Sequence, residues 1–302
     1  MLRKNNLLKG IFFTSFASTF WGIPQPLIFN QIKYIPAIEV VSHRALWSFI
    51  FLFLIITFIG KIKDFFLLFY SYKILLILSI SAILISINWI GFIFAVSFNR
   101  IQDASMGYFL TPLVSISLGY FFLDEKISKA KLISILLMLS AIFFLIISLK
   151  TLPILAIVIG TSWGLYGLLK KKINISSEIG LLYESFLISI LALPYIIYID
   201  YIDLGFFLNE STNTNYLLIL TGAITVFPLF LFNQGVKFIT LGFAGIIFYL
   251  APTLHFFTSI FILDESLSLS KLIAFIIIWV GVLIFIIDVL RNENKSIENN
   301  TQ

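Results

Sequence analysis

A carboxylate, an imidazole and a guanidinium fall close together in one otherwise apolar stretch of the chain, as Glu39, His43 and Arg44. Glu39 and His43 are four residues apart, so on a helix they share a face. Arg44 lies several residues into the stretch, deeper than an outward-pointing side chain reaches water easily. A fixed guanidinium there suits an anionic or carbonyl-bearing ligand. The plainer alternative is a carboxylate on a neighbouring helix that pairs with it. Glu184 is a second charge inside an apolar run. A carboxylate in such surroundings can bind and release a proton, or can accept hydrogen bonds from Tyr166 or Lys170. Asn88, Trp89, Tyr108, Thr111, Asn233, Gln234, Tyr249 and His255 place polar or amphipathic groups on further apolar stretches. Pro112 and Pro252 interrupt two of those stretches and free backbone carbonyls that a cavity could use.

Other patterns point nowhere catalytic. Gly160 to Gly164 reads GTSWG, and Ser162 would be the nucleophile of a G-x-S-x-G elbow with His255 as its base. That elbow needs a strand-to-helix turn, whereas this match lies inside an apolar helix, where two glycines four apart favour close helix packing. Asp124-Glu125 and Asp264-Glu265 end apolar runs and read as solvated boundary charges. There is no cysteine, so thiol chemistry and disulfides are excluded. No H-E-x-x-H, P-loop or dinucleotide fingerprint occurs, so the chain is expected to be no enzyme, to need no metal or cofactor and to drive no ATP-powered pump.

The elements that must position these groups follow from composition. The chain is 60% hydrophobic and only 12% charged, with a mean hydropathy of +1.06, far from the quarter of charged residues typical of soluble domains. The lipid bilayer is therefore the expected solvent. About 20 apolar residues cross its hydrocarbon core as a helix. Ten such spans are expected: Leu8 to Asn30, Ala37 to Ile59, Ile74 to Phe98, Ile101 to Leu123, Leu132 to Leu149, Pro153 to Leu169, Ile179 to Ile199, Tyr216 to Val236, Leu241 to Leu263 and Leu272 to Leu290. The first is expected to be an uncleaved span, since no small-residue cleavage site follows it.

Basic residues fall on alternate sides of this array. Arg3, Lys4, Lys9, Lys61, Lys63, Lys73, Lys126, Lys129, Lys131, Lys170, Lys171, Lys172, Lys237, Arg291 and Lys295 share one side. Lys33, Arg100, Lys150 and Lys271 lie on the other. Both termini are thus expected in the cytoplasm. The scattered positive charge is a topology signal and implies no nucleic-acid partner.

An internal repeat relates the two halves. FFLDEKISKAKLI (Phe121 to Ile133) returns as FILDESLSLSKLI (Phe261 to Ile273), Pro112 corresponds to Pro252, and Trp21-Gly22 to Trp163-Gly164. A repeated unit with an odd number of spans inserts upside down the second time, as in many secondary transporters. The expected architecture is all-α, with five-helix halves at 8–149 and 153–290 and a polar tail at 291–302. Small-residue faces would permit a homodimer.

The residues also resemble a known family. IPAIEVVSHRALWSF (Ile35 to Phe49), NWIGFIFAV (Asn88 to Val96), ASMGYFLTPL (Ala104 to Leu113) and LYGLLKKKI (Leu165 to Ile173) are similar to RarD-type proteins of the EamA group, in the drug/metabolite transporter superfamily. LGF (Leu241 to Phe243), YLAPTL (Tyr249 to Leu254) and IIWVGVLIFIID, ending at Asp288, extend the match. The resemblance implies a bacterial inner-membrane carrier for a small molecule, its cavity lined by the third, fourth, eighth and ninth spans. Phe248 and Thr111 depart from the family pattern, which usually has Gln and Asn there.

Overall fold

The computed structural model describes residues 2–123, 128–150, 152–239 and 247–299. Among them every regular element is a helix, and no strand occurs. The chain runs through α1 (Leu2–Gly22), α2 (Pro24–Gln31), α3 (Ala37–Phe58), a short amphipathic α4 (Ile62–Leu67) with a 3-10 turn (Leu68–Tyr70), α5 (Tyr72–Ser97), α6 (Ile101–Leu123), α7 (Lys129–Leu149), α8 (Ile154–Lys171), α9 (Ser177–Tyr201), α10 (Thr212–Val236), α11 (Leu250–Phe261) and α12 (Leu269–Asn299). Seven of these helices are long and apolar enough to cross a membrane, namely α3, α5, α6, α7, α9, α10 and α12. The shorter α8 and α11 are also apolar. Large hydrophobic side chains such as Phe58, Phe143, Leu191 and Phe261 stand exposed around the bundle, as lipid-facing residues must. The protein is a multi-pass membrane protein.

Most helix bounds fall within a few residues of those expected from apolar run length. The first span differs. It is divided at Ile23 into α1 and α2, because Pro24 and Pro26 carry no N–H and leave carbonyls of the preceding turn without partners. Two carbonyls at this break are taken up by α11. His255 Nε2 donates to the Trp21 carbonyl at 2.8 Å, and Thr258 Oγ1 donates to the Gly22 carbonyl at 3.1 Å. The helix over the last span also continues through most of the polar tail, to Asn299. The expected ninth span begins at Leu241, so its first residues lie outside the described ones, as do Asp124 and Glu125.

Helices pack in a defined set of pairs: α3 with α9, α7 with α12, α6 with α8, α1 with α11, α1 with α10, α5 with α8, α10 with α3, α5 with α9, and α6 with α11. Small residues set the closest approach. A Cβ built on Gly160 would lie 2.7 Å from the Gly107 carbonyl oxygen, and one on Gly107 would lie 2.8 Å from that of Ala156. The GTSWG match is therefore a packing surface between α8 and α6. Ser162 is buried in it, its hydroxyl donating back to the Ile159 carbonyl at 3.1 Å.

One boundary charge departs from expectation. Glu265 is only 7% exposed. The segment between α11 and α12 docks onto the start of α6, where the Ile101 and Gln102 N–H groups donate to the two Glu265 carboxylate oxygens at 2.6 and 3.1 Å. A carboxylate at a helix N-terminus satisfies otherwise unpaired donors. Beside it, Asp103 pairs with Arg100 at 2.7 Å and with Lys271 at 3.0 Å.

Candidate functional site

Arg44 sits two turns into α3 and is 5% exposed. Its Nε donates to Thr225 Oγ1 of α10 at 2.8 Å. Its guanidinium lies 4.4 Å from the ring centroid of Trp89 on α5 and 5.4 Å from that of Phe29 on α2. Among the described residues it has no carboxylate partner, and its two terminal nitrogens have no hydrogen-bond acceptor. Glu39, the nearest acid along the chain, is occupied elsewhere, accepting from the Phe206 N–H at 2.8 Å. The magnitudes leave a shortfall. A desolvated cation–π contact is worth about 2 kcal/mol and a hydrogen bond to a charged group about 1.5–3 kcal/mol. Burying an ion costs several kcal/mol, and that cost is fully met only when its remaining donors are satisfied.

His43 stands beside Arg44 but does not join it. The His43 ring packs on Phe207 with centroids 4.7 Å apart, and neither ring nitrogen has a partner among the described residues. Glu39 and His43, expected to share a face, share no hydrogen bond. Glu39 instead anchors the segment after α9 and borders a cavity of about 150 Å³ with Ile196, Asp200 and Phe207.

Glu184 on α9 is fully buried and fully engaged. Ser81 Oγ of α5 donates to Oε1 at 2.6 Å, Lys170 Nζ of α8 to the same oxygen at 2.8 Å, and Tyr166 OH of α8 to Oε2 at 3.0 Å. Tyr166 and Lys170 are the partners expected on the structural reading of this carboxylate. Ser81 was not foreseen.

A continuous run of aromatic rings joins the two charges. From Phe29 it passes to Phe92 at 6.1 Å, Tyr108 at 6.2 Å, Trp163 at 6.2 Å and Tyr166 at 5.4 Å between centroids. His255 packs against both Phe92 and Tyr108. Asn88 crosslinks this run: it accepts from Tyr108 OH at 3.1 Å and donates to the Ile159 carbonyl at 3.1 Å and to Ser162 Oγ at 3.3 Å. Trp21 and Trp163, which correspond in the repeat, both pack on Phe248.

The other expected site residues are placed apart from this run. Thr111 bonds back to the Gly107 carbonyl at 3.5 Å. The α6 helix continues across Pro112, whose side chain lies outside the described residues. Pro252 falls in the first turn of α11, where its carbonyl accepts from Ser105 Oγ at 2.7 Å. Gln234 accepts from Lys237 at 3.0 Å at the end of α10, and the Asn233 amide nitrogen has no partner among the described residues. Tyr249 stacks on Phe109 and lines a second, apolar cavity of about 560 Å³ with Leu250, Phe257 and Trp279. Phe29 and Thr225, the direct neighbours of Arg44, escaped sequence reasoning. The only signal for Thr225 was a hydroxyl in an apolar helix.

Comparison with known proteins places these features in a family. Residues 8–147 and 151–287 each match the EamA-like transporter family. An uncharacterised transporter of Bacillus subtilis, YojE, is 35% identical over 92% of this chain and 93% of its own length. Protein RarD of Escherichia coli is 30% identical over 95% of this chain and 97% of its own. A solved crystal structure, 13% identical, superposes with a TM-score of 0.59 and covers 93% of this chain and 97% of that one, a likeness of fold alone.

Proposed function

Because the chain belongs to the EamA-like transporter family of the drug/metabolite transporter superfamily, we propose that it is a secondary carrier moving a small organic molecule across a bacterial inner membrane. Ten spans form two inverted five-helix halves, 8–149 and 153–290, with both termini in the cytoplasm. Alternating access follows from one half rocking against the other.

The observation that carries this reading is the lone buried guanidinium at the seam between the halves. Arg44 and its rings belong to the first half, while its hydrogen-bond partner Thr225 belongs to the second. Intramembrane charges of this kind mark substrate pathways by default. The packing pairs give independent support. Advancing every span by five turns the α1–α10 contact into α8–α5, α1–α11 into α8–α6, and α10–α3 into α5–α9, while α3–α9, α7–α12 and α6–α11 map onto themselves. Such a scheme lets inner and outer openings exchange without new contacts being invented. The distribution of Lys and Arg supports the orientation.

The test compares small molecules inside and outside cells overproducing the wild type or Arg44→Lys at matched membrane abundance. The carrier reading expects a compound redistributed by the wild type and about tenfold or more less by the variant, since lysine keeps the charge but loses the planar fork. Equal redistribution by both removes Arg44 from the pathway.

A further inference from the structure

The composition of the Arg44 site restricts what it can carry. Resting on the carrier reading above, we propose that the substrate is a monocarboxylate with an aromatic body and without an ammonium group.

Charge comes first. Arg44 is the cation facing the aromatic run. Lys170, the basic residue at the other end, is committed to Glu184 at 2.8 Å. Among the described residues one uncommitted cation meets the run, and it neutralises one negative charge, so a monoanion fits where a dianion leaves an excess buried charge. Geometry comes second. Thr225 takes only the Nε edge of the guanidinium. Among the described residues the two terminal nitrogens have no acceptor, and a guanidinium fork can receive both oxygens of a carboxylate.

The absence of a place for an ammonium comes third. Zwitterions need a carboxylate near the guanidinium, and neither intramembrane carboxylate is available. Glu39 accepts from Phe206, and Glu184 holds three donors. The Trp89 face, which could otherwise attract a cation, already carries Arg44. A second positive group beside it would meet repulsion with nothing to offset it. The body of the ligand comes last. Phe29, Phe92, Tyr108 and Trp163 form the run of packed rings that leads away from Arg44, and ring faces and edges favour a flat aromatic partner.

Thermal unfolding of the purified full-length protein in detergent micelles, titrated with simple probes, tests this. Benzoate should raise the Tm at concentrations about tenfold lower than phenylalanine, benzylamine, benzyl alcohol or acetate, as a bidentate pair plus ring contact requires. Arg44→Gln should abolish the benzoate response. If that variant does not fold, Arg44→Lys serves instead and should weaken the response about tenfold. Phenylalanine or benzylamine matching benzoate, acetate matching benzoate, no benzoate response, or a response that survives both variants would each overturn the proposal. The two readings fail separately. Arg44-dependent transport of a cation or zwitterion overturns the substrate class and leaves the carrier standing. Benzoate binding in a protein that redistributes no compound does the reverse.

Discussion

Arg44 and Glu184 sit on helices that the proposed repeat makes equivalent, both are buried, and their surroundings are opposite. Glu184 has an ammonium, a phenol and a hydroxyl within hydrogen-bonding distance. Arg44 has one hydroxyl and two rings, and no carboxylate among the described residues. On the carrier reading, the difference separates a charge that holds helices together from one proposed to meet a ligand. Glu184 ties α9 to α5 and α8. Arg44 ties α3 to α10 through a single neutral hydrogen-bond partner, and its two terminal nitrogens have no acceptor among the described residues.

The comparison breaks most sharply at Lys170. Replacing it with methionine leaves the Glu184 carboxylate, 0% exposed, without its counter-charge. Removing one partner of a buried pair costs about 3–5 kcal/mol, so Lys170→Met should lower the unfolding free energy by that order and reduce membrane abundance. Adding Glu184→Gln should recover most of the loss, because the remaining groups are neutral. Recovery of nothing would mean that the ion pair is not what holds α8 to α9.

The Arg44 side should answer to packing before it answers to charge. A Cβ on Gly222 of α10 would lie 2.5 Å from the backbone carbon of Trp47 on α3, and backbone cannot move aside as a flexible side chain can. Gly222→Ala should therefore push α10 off α3 at a cost of about 1–3 kcal/mol. Thr225 lies one turn further along α10, so its 2.8 Å bond to Arg44 should be lost as well. The expected result is transport impaired with Arg44 itself intact. Undiminished transport would show that the Thr225 contact does not orient the guanidinium.

Removal of Arg44 should have the smaller and opposite effect on stability. Arg44→Gln deletes an ion whose desolvation is not matched by a partner, and neutral replacements of such groups are often tolerated within about 1 kcal/mol or stabilise. Denaturant unfolding of Arg44→Gln beside Lys170→Met reads the contrast directly. Equal, large losses in both would make Arg44 a structural residue like Glu184.

How far the sequence revealed this contrast follows from particular residues. Arg44 and Glu184 were visible because a charge in an apolar run is rare. Helix positions were visible because a bilayer demands long apolar runs. The division of the first span was in principle readable from Pro24 and Pro26, but the length of the mostly apolar run hid it. Thr225 was not readable, since it reaches Arg44 from a helix distant in sequence, and Phe29 was not, since it is one of 34 phenylalanines that look alike. Glu265 was misjudged for a related reason. An Asp-Glu pair at the end of a span looks solvated, and its burial arises only when the segment folds onto the start of α6.

Glu265 sharpens the comparison at its weakest end, as a buried carboxylate satisfied mainly by backbone donors. Burial pushes its carboxyl up from the usual 4.5, against the lowering effect of the Ile101 and Gln102 N–H groups and of Lys271, while Asp103 adds to the rise. A carboxyl raised on folding contributes stability that is fully present below about 4.5 and is lost as pH rises through the higher folded value. Glu265→Gln cannot titrate and should remove that decline. Unfolding of wild type and variant across pH 4 to 8 separates the two curves at the upper end, with the variant the more stable. If the variant is less stable at every pH, the charge–helix interaction at α6 outweighs burial, and Glu265 belongs with Glu184 as a carboxylate whose negative charge the fold requires.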